Sequence, residues 1–399
     1  MAWESKRLDE IATIQTGPFG SQLHNKDYVD VGTPIITVEH LGQYRIRRQN
    51  MPMVTSEDAN RLQKYSLLPG DIVFSRVGSV DQSSYVGEAE SGWLFSGRCL
   101  RVRPDANKAD PLFTYYALNT AGLKNYIRAI AVGATMPSIN TAILSEIPIS
   151  LPALTEQQRI ATVLGSLDDK IAANIEAVRT IDCLRNALWH RNLAHRTTAT
   201  PLSSLASYVN GGAFTKNATG TGRVVVRIAE MNGGIGNNTV RNELNVPETK
   251  VVRPGELLFS WSGTLMTKRW PYDEAIVIQH FFKVFPDHGF PLAFLDCAIE
   301  QQLNFFKMVA AGKATTMGHI KRSDLDAEVQ IPIQFREEDL RLAESLWANA
   351  SALEKENMIL AKTRDELLPL LMSGKITVRE AAQEAAAAGA HVQGEENEV

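Results

Sequence analysis

Cysteine is scarce: Cys99, Cys183 and Cys297 are the three in 399 residues, and no two form a Cys-x-x-Cys pair. That argues against a disulfide framework or a cysteine-built zinc site and suits a reducing cytoplasmic setting. Long apolar runs are missing as well. No stretch approaches 18 consecutive apolar residues, so no membrane span is expected, and the opening MAWESKRLDEIATIQTG lacks the apolar core of an export signal. Pro-Pro does not occur, which removes the Asn/Asp-Pro-Pro-aromatic signature of amino-methyltransferases. Gly312-Lys313 lacks the earlier glycine of a phosphate loop, and no His-Glu-x-x-His stands among the eight histidines. Asp105 with Asp168-Asp169-Lys170 could be joined into a nuclease-like set. The second group falls within a heptad helix, however, where such neighbours are ordinarily a solvated face. No catalytic residue, metal site or cofactor is therefore assigned to the chain itself.

A dominant charge of one sign is also lacking. The net charge is −4, yet residues 336–399 carry 7 basic and 13 acidic side chains, while residues 1–152 carry 15 of each. The acidity belongs to the last segment, so net charge neither supports nor excludes DNA as a partner. With 44% hydrophobic and 22% charged residues, the chain has a globular composition and the length for two cores.

What is present is repetition. Leu68-Pro69-Gly70-Asp71-Ile72-Val73-Phe74-Ser75 is echoed by Arg253-Pro254-Gly255-Glu256-Leu257-Leu258-Phe259-Ser260, each followed three residues later by glycine. Pro-Gly sets up a type II turn, and the apolar run behind it reads as a buried strand. Pro34–Val38 pairs with Val224–Ile228, Cys99–Pro104 with Phe281–Pro286, and the helical stretches Pro111–Ile130 and Pro291–Val309 correspond. Each half thus reads as an α/β domain. A helix follows each one. Thr155-Glu156-Gln157-Gln158 reads as a capping box. Leu164, Ile171, Val178 and Arg185 then map by a shift of 182 onto Leu346, Leu353, Leu360 and Leu367. Two heptad runs in register with the repeat predict an antiparallel coiled coil of about 30 residues per helix, roughly 45 Å long. His195–Pro201 reads as a linker, Thr377–Ala388 as a marginal helix, and Gly389–Val399 as disordered.

The succession Ala134-Thr135-Met136-Pro137-Ser138-Ile139-Asn140, Ile147–Pro152, Glu156-Gln157-Gln158-Arg159-Ile160 and Leu167-Asp168-Asp169-Lys170-Ile171 resembles the specificity subunit of type I restriction–modification systems. Thr16–Ser21, Gly70–Arg76 and the closing Leu370–Ile376 are similar to further segments of that family. The resemblance covers residues 1 to about 378. It implies target recognition domain 1 over 1–152, spacer helix 1 over 153–195, linker and target recognition domain 2 over 196–335, and spacer helix 2 over 336–376. The expected fold is α/β, its two domains related by pseudo-twofold symmetry and separated by the antiparallel coiled coil. The Ala/Glu-rich residues 377–399 would form a partly disordered tail.

The implied function is a non-catalytic, sequence-specific DNA-binding subunit in host defence. Each domain would read half of a bipartite asymmetric site, with the helices setting the spacer. Implied partners are double-stranded DNA, two methyltransferase subunits carrying S-adenosylmethionine, and two motor-nuclease restriction subunits using ATP and Mg. The alternatives are an orphan subunit serving methylation only and a protein scaffold without a DNA role.

Candidate readers lie on loops at strand ends, where side chains are not committed to packing. In the first domain these are Ser75, Arg76, Gln82, Arg98 and Ser138. Arg76 suits guanine or phosphate, or equally an exposed ion pair; Gln82 could address adenine or be an ordinary loop glutamine; Arg98 would contact DNA or, more often for such a residue, form a surface salt bridge. Arg45, Arg47 and Arg48 would neutralise phosphates or form a solvated face. In the second domain the candidates are Ser260, Trp261, Lys268, Arg269, His280, Lys313 and His319. Trp261 could stack on the duplex or belong to the core, and Lys268 and Arg269, which follow closely, suit a phosphate contact. On the coiled-coil seam, Asn174, Arg185, Asn349 and Glu356 would either control register or contact partner subunits.

Overall fold

In the computed structural model, residues 3–236, 238–287, 289–312 and 318–392 are described. Two compact units emerge, Met1–Ala172 with Leu360–Val399, and Ala173–Ile359.

In the first unit, Gly70 takes φ +91°, the left-handed geometry the Pro-Gly turn requires. The Ile72–Ser75 strand behind it is buried at all four positions. It lies in an antiparallel sheet ordered Ala12–Thr16, Cys99–Pro104, Ile72–Ser75, Ser83–Tyr85. A second sheet holds Tyr28–Val29, Met53–Val54, Thr33–Ile36 and Leu94–Phe95, the last pair parallel. Glu4–Arg7 closes on Pro148–Leu151. The stretch predicted as one helix over Pro111–Ile130 is two, Pro111–Leu118 and Ala121–Ile130. Thr120, with ψ 146°, leaves the helical region and caps the second. The apolar continuity of the sequence conceals this break.

The second unit repeats the plan. Its antiparallel sheet runs Ala206–Asn210, Phe281–Pro286, Leu257–Ser260, Met266–Arg269, and Gly255 takes φ +85°. Its second sheet contains Arg241–Asn242, Arg223–Val226, Ala275–Val277 and Val251–Val252, again with one parallel pair. Thr197–Pro201, expected as linker, is a strand paired with Glu328–Pro332, the counterpart of the closure in the first unit.

The long helices are Leu154–Leu193, of 40 residues, and Glu337–Met372, of 36. They exceed the predicted 30 because their end turns pack into domain cores instead of the heptad seam: Ile160, Ala161 and Val163 at one end of the first helix, Leu188 and Trp189 at the other. In the first unit Leu164 and Leu167 share a core with Leu360, Leu367 and Leu371. In the second, Asn174 bonds Glu356 while Arg191 bonds Asp339, so the two helices run antiparallel there. The expected capping box does not form. Thr155 lies inside the helix, and Gln157, 1% exposed, accepts a bond from Asp110 N at 2.9 Å and donates to Pro152 O at 2.9 Å.

The tail forms the helix expected over Thr377–Ala388, and residues 393–399 of the segment expected to be disordered lie outside the described residues. Val378–Ala387 is a helix opened by a genuine capping box of Thr377 and Glu380. Ala381, Ala382, Ala385 and Ala390 are buried in the core of the first unit, so the tail is ordered through the last described residues. Among the described residues, no helix is long and apolar enough to cross a membrane.

Candidate nucleic-acid interface

The site in the first unit begins where the Ile72–Ser75 strand ends. Ser75 is 1% exposed and its hydroxyl donates to Val77 O at 2.7 Å, so it shapes the loop and offers nothing to a ligand. Arg76 N donates to Arg98 O at 2.8 Å, which ties this loop to the turn Ser96–Cys99. That turn is closed by Cys99 N on Ser96 O at 2.9 Å and held from behind by Ser96 N on Ile36 O at 2.8 Å and Gly17 N on Cys99 O at 3.2 Å. Only glycine fits the approach. A Cβ on Gly17 would stand 2.2 Å from Ser96 O, and one on Gly97 2.3 Å from Pro18 O.

On this frame the Arg76 guanidinium lies 4.7 Å from the Phe19 ring centroid and donates to Gly97 O at 3.2 Å. Arg98 is exposed and has no side-chain partner among the described residues. Between them opens a cavity of about 600 Å³ lined by Phe19, Tyr28, Glu39, His40, Arg76 and Arg98, with contributions from neighbouring backbone. His40, 5% exposed, accepts from Thr37 N at 3.1 Å and is held in the wall.

Other candidates in this unit are engaged. Gln82 donates to Leu41 O at 2.6 Å, which removes the amide that was to address adenine. Ser138 pairs through its backbone with Val77 and Val132 and donates its hydroxyl to Val132 O at 3.1 Å, tethering the Gly133–Ile139 loop. Of the basic cluster, Arg45 pairs with Asp169 and lies over Tyr44, while Arg48 bonds Glu90 at 3.0 and 2.5 Å. Arg47 remains exposed.

The second unit builds the same frame. Ser260, 0% exposed, donates to Ser262 O at 3.1 Å. Trp261 N donates to His280 O, Phe281 N to Ile278 O and Gly211 N to Phe281 O, at 3.2, 3.2 and 3.1 Å. Trp261 therefore occupies the place of Arg76, and His280 that of Arg98. The half-buried indole donates to Asn210 Oδ1 at 2.9 Å and faces His280 and His319, with ring centroids 5.9 and 6.4 Å away. His319 pairs through its backbone with Ser262. His280 Nδ1 and Gln279 Oε1 are buried without a hydrogen-bond partner. Lys313 lies outside the described residues.

The two cations that follow this loop belong elsewhere. Arg269, 7% exposed, grips Glu354 with two bonds of 2.8 and 3.0 Å and lies 4.7 Å from the Trp347 ring, fastening the sheet to the second long helix. Lys268 donates to Met231 O at 2.6 Å, and burial pushes its ammonium below the ordinary lysine value, with Glu354 acting the other way. The phosphate contacts expected of this pair are corrected accordingly.

The four seam residues divide similarly. Asn174, 3% exposed, donates to Glu356 at 2.8 Å and Asn357 at 2.9 Å. Arg185, 4% exposed, pairs with Asp296, Asp182 and Glu300. Burial removes both from the reach of a partner subunit, Glu356 is engaged by Asn174, and Asn349 stands exposed. Phe19, Glu39, His40 and Asn210 were not singled out from the sequence. Phe19 lies in the segment Thr16–Ser21 already marked in the sequence, but nothing local marked Glu39 or His40. Asp168, once considered as a nuclease carboxylate, is 4% exposed and is held by Tyr116 Oη at 2.7 Å and Arg364. Among the described residues, no group of three or more His, Cys, Asp or Glu side chains could hold a metal ion.

Residues 2–178 match the type I restriction modification DNA specificity domain. The type I restriction enzyme MjaX specificity subunit of Methanocaldococcus jannaschii is 33% identical over 174 residues, which are 42% of this chain and 40% of that relative. The chain thus matches less than half the length of that relative. The MjaIX specificity subunit of the same organism is 24% identical over 423 residues, 95% of this chain and 94% of the relative. The crystal structure of a type I restriction–modification S subunit from M. genitalium superposes with a TM-score of 0.56 at 16% identity, over 92% of this chain and 96% of that one, and so shares its fold. On these matches, the chain is similar to type I restriction–modification specificity subunits, through the family domain over residues 2–178 and through a shared fold over nearly its whole length.

Proposed function

We propose that this chain is the DNA-reading adaptor of a type I restriction–modification complex. Each domain reads one half of a bipartite asymmetric site, the long helices set the unread spacer, and the assembled subunit delivers two methyltransferase and two motor-nuclease subunits to that site. S-adenosylmethionine, ATP and Mg enter with those partners. The observation that carries the reading is one loop-and-turn frame built twice and furnished differently: Arg76 and Arg98 in one domain, Trp261 and His280 in the other. A conserved backbone with exchanged side chains is what two different half-sites require, because base edges are read by side chains held in register by the scaffold.

Long-read methylation mapping with and without the gene tests this. A bipartite adenine-methylated motif that disappears with the gene is the expected result. An unchanged methylome, together with binding indifferent to duplex DNA and to salt, would leave a protein scaffold as the reading.

A further inference from the structure

We infer that Arg98 reads a guanine in the half-site of the first domain. The inference rests on the DNA-reading function proposed above and names the base that one side chain selects.

The backbone at Arg98 is fixed before any ligand arrives. The Ser96–Cys99 turn is closed on itself, Arg76 N bonds the Arg98 carbonyl, and Gly97 packs so tightly on Pro18 O that no Cβ could be added. A turn this rigid places the Arg98 Cα in one position and removes the backbone's share of the ordering cost on binding. Its guanidinium is also unengaged. Around it Arg76 lies on Phe19, Arg103 is forked on Asp71 at 2.6 and 2.7 Å, and Arg101 donates to Ser66 O at 3.0 Å, whereas Arg98 has no such partner among the described residues.

Arginine's planar fork matches guanine O6 and N7 with two parallel bonds, a match no other base edge offers. A phosphate contact is the competing use of a free arginine, and the cavity argues against it. Exposed Glu39 lines the same space and would repel a phosphodiester, while a carboxylate is a ready acceptor for cytosine N4. The corresponding turn of the second domain presents His280, which has no fork, so the other half-site is not read this way.

The test is methylation mapping in cells carrying the chain with its cognate subunits, as wild type, Arg98→Lys and Arg98→Ala. The wild-type motif is expected to contain a G·C pair in one half-site, at which both variants lose discrimination on the order of ten- to hundredfold, the other half-site being unchanged. Arg98→Lys keeps the charge and loses the fork, so it separates base reading from electrostatics. Three results would overturn the inference: no relaxation in either variant, relaxation at an A·T pair, or uniformly weaker binding with the salt slope reduced by about one, as for a phosphate contact. Absence of any bipartite motif in wild-type cells would instead sink the DNA-reading function itself.

Discussion

Arg185 packs over the Trp347 ring at 5.9 Å and meets Asp296, which is 6% exposed, with Glu300 3.4 Å away. Removing the guanidinium leaves Asp296 charged in a dry site, a loss of about 3–5 kcal/mol. Arg185→Ala should therefore lower the urea midpoint of the second unit well beyond an exposed control such as Arg341→Ala, and equal midpoints would refute the assignment. Glu300 gives the pH dependence. Burial, with Asp296 beside it, lifts its carboxyl to about 7, against the pull of Arg185. A carboxyl raised in the folded state keeps its proton while the unfolded chain releases it. The stabilisation is therefore full below about 4.5 and is lost as pH rises through 7. Its side chain is 40% exposed, so solvent screening keeps the effect modest. Glu300→Gln should flatten that decline between pH 4.5 and 7, measured as unfolding free energy against pH. At this scale, local chemistry was readable and distant pairing was not. Pro-Gly specified φ > 0 at Gly70 and Gly255 from two adjacent residues. Lys268-Arg269 looked like a phosphate contact because Glu354, 85 positions onward, is invisible until the chain folds.

Among the elements, strands and long helices were legible because each depends on a pattern within its own length. The paired apolar runs after the two Pro-Gly turns are buried strands, and the leucine heptads form the helix seams. Boundaries were less so. Thr155 and Gln158 have the residue types of a capping box, but the helix already begins at Leu154, so Thr155 lies inside its first turn and cannot cap it. The tail helix was legible but its anchoring was not: an alanine-rich helix is marginal alone, and the core that buries Ala381, Ala382 and Ala385 is built from residues far away in the chain. Four buried alanine methyls correspond to about 3 kcal/mol of apolar burial as an upper figure. Deleting residues 377–399 should lower the unfolding free energy of the first unit by up to that amount, read as a lower denaturant midpoint, and an unchanged midpoint would show that the docked helix contributes nothing.

Over the whole chain, each long helix is a single unbroken element whose residues fall in both compact units, the division passing between Ala172 and Ala173 in one and between Ile359 and Leu360 in the other. Polar bonds mark the seam on either side of that division: Asp168 with Arg364 in the first unit, Asn174 with Glu356 in the second. Lengthening one helix alone would put the leucines of its partner out of register and break one of these bonds. Adding one heptad to both, at 172/173 and 359/360, keeps every seam pair within its own unit. Seven residues add about 10 Å of helix, close to the rise of three base pairs. If helix length sets the unread spacer, methylation mapping of the double insertion should return the two original half-sites with a spacer about three base pairs longer. The original spacer, recovered from a folded and active variant, would show that something other than the helices does the measuring.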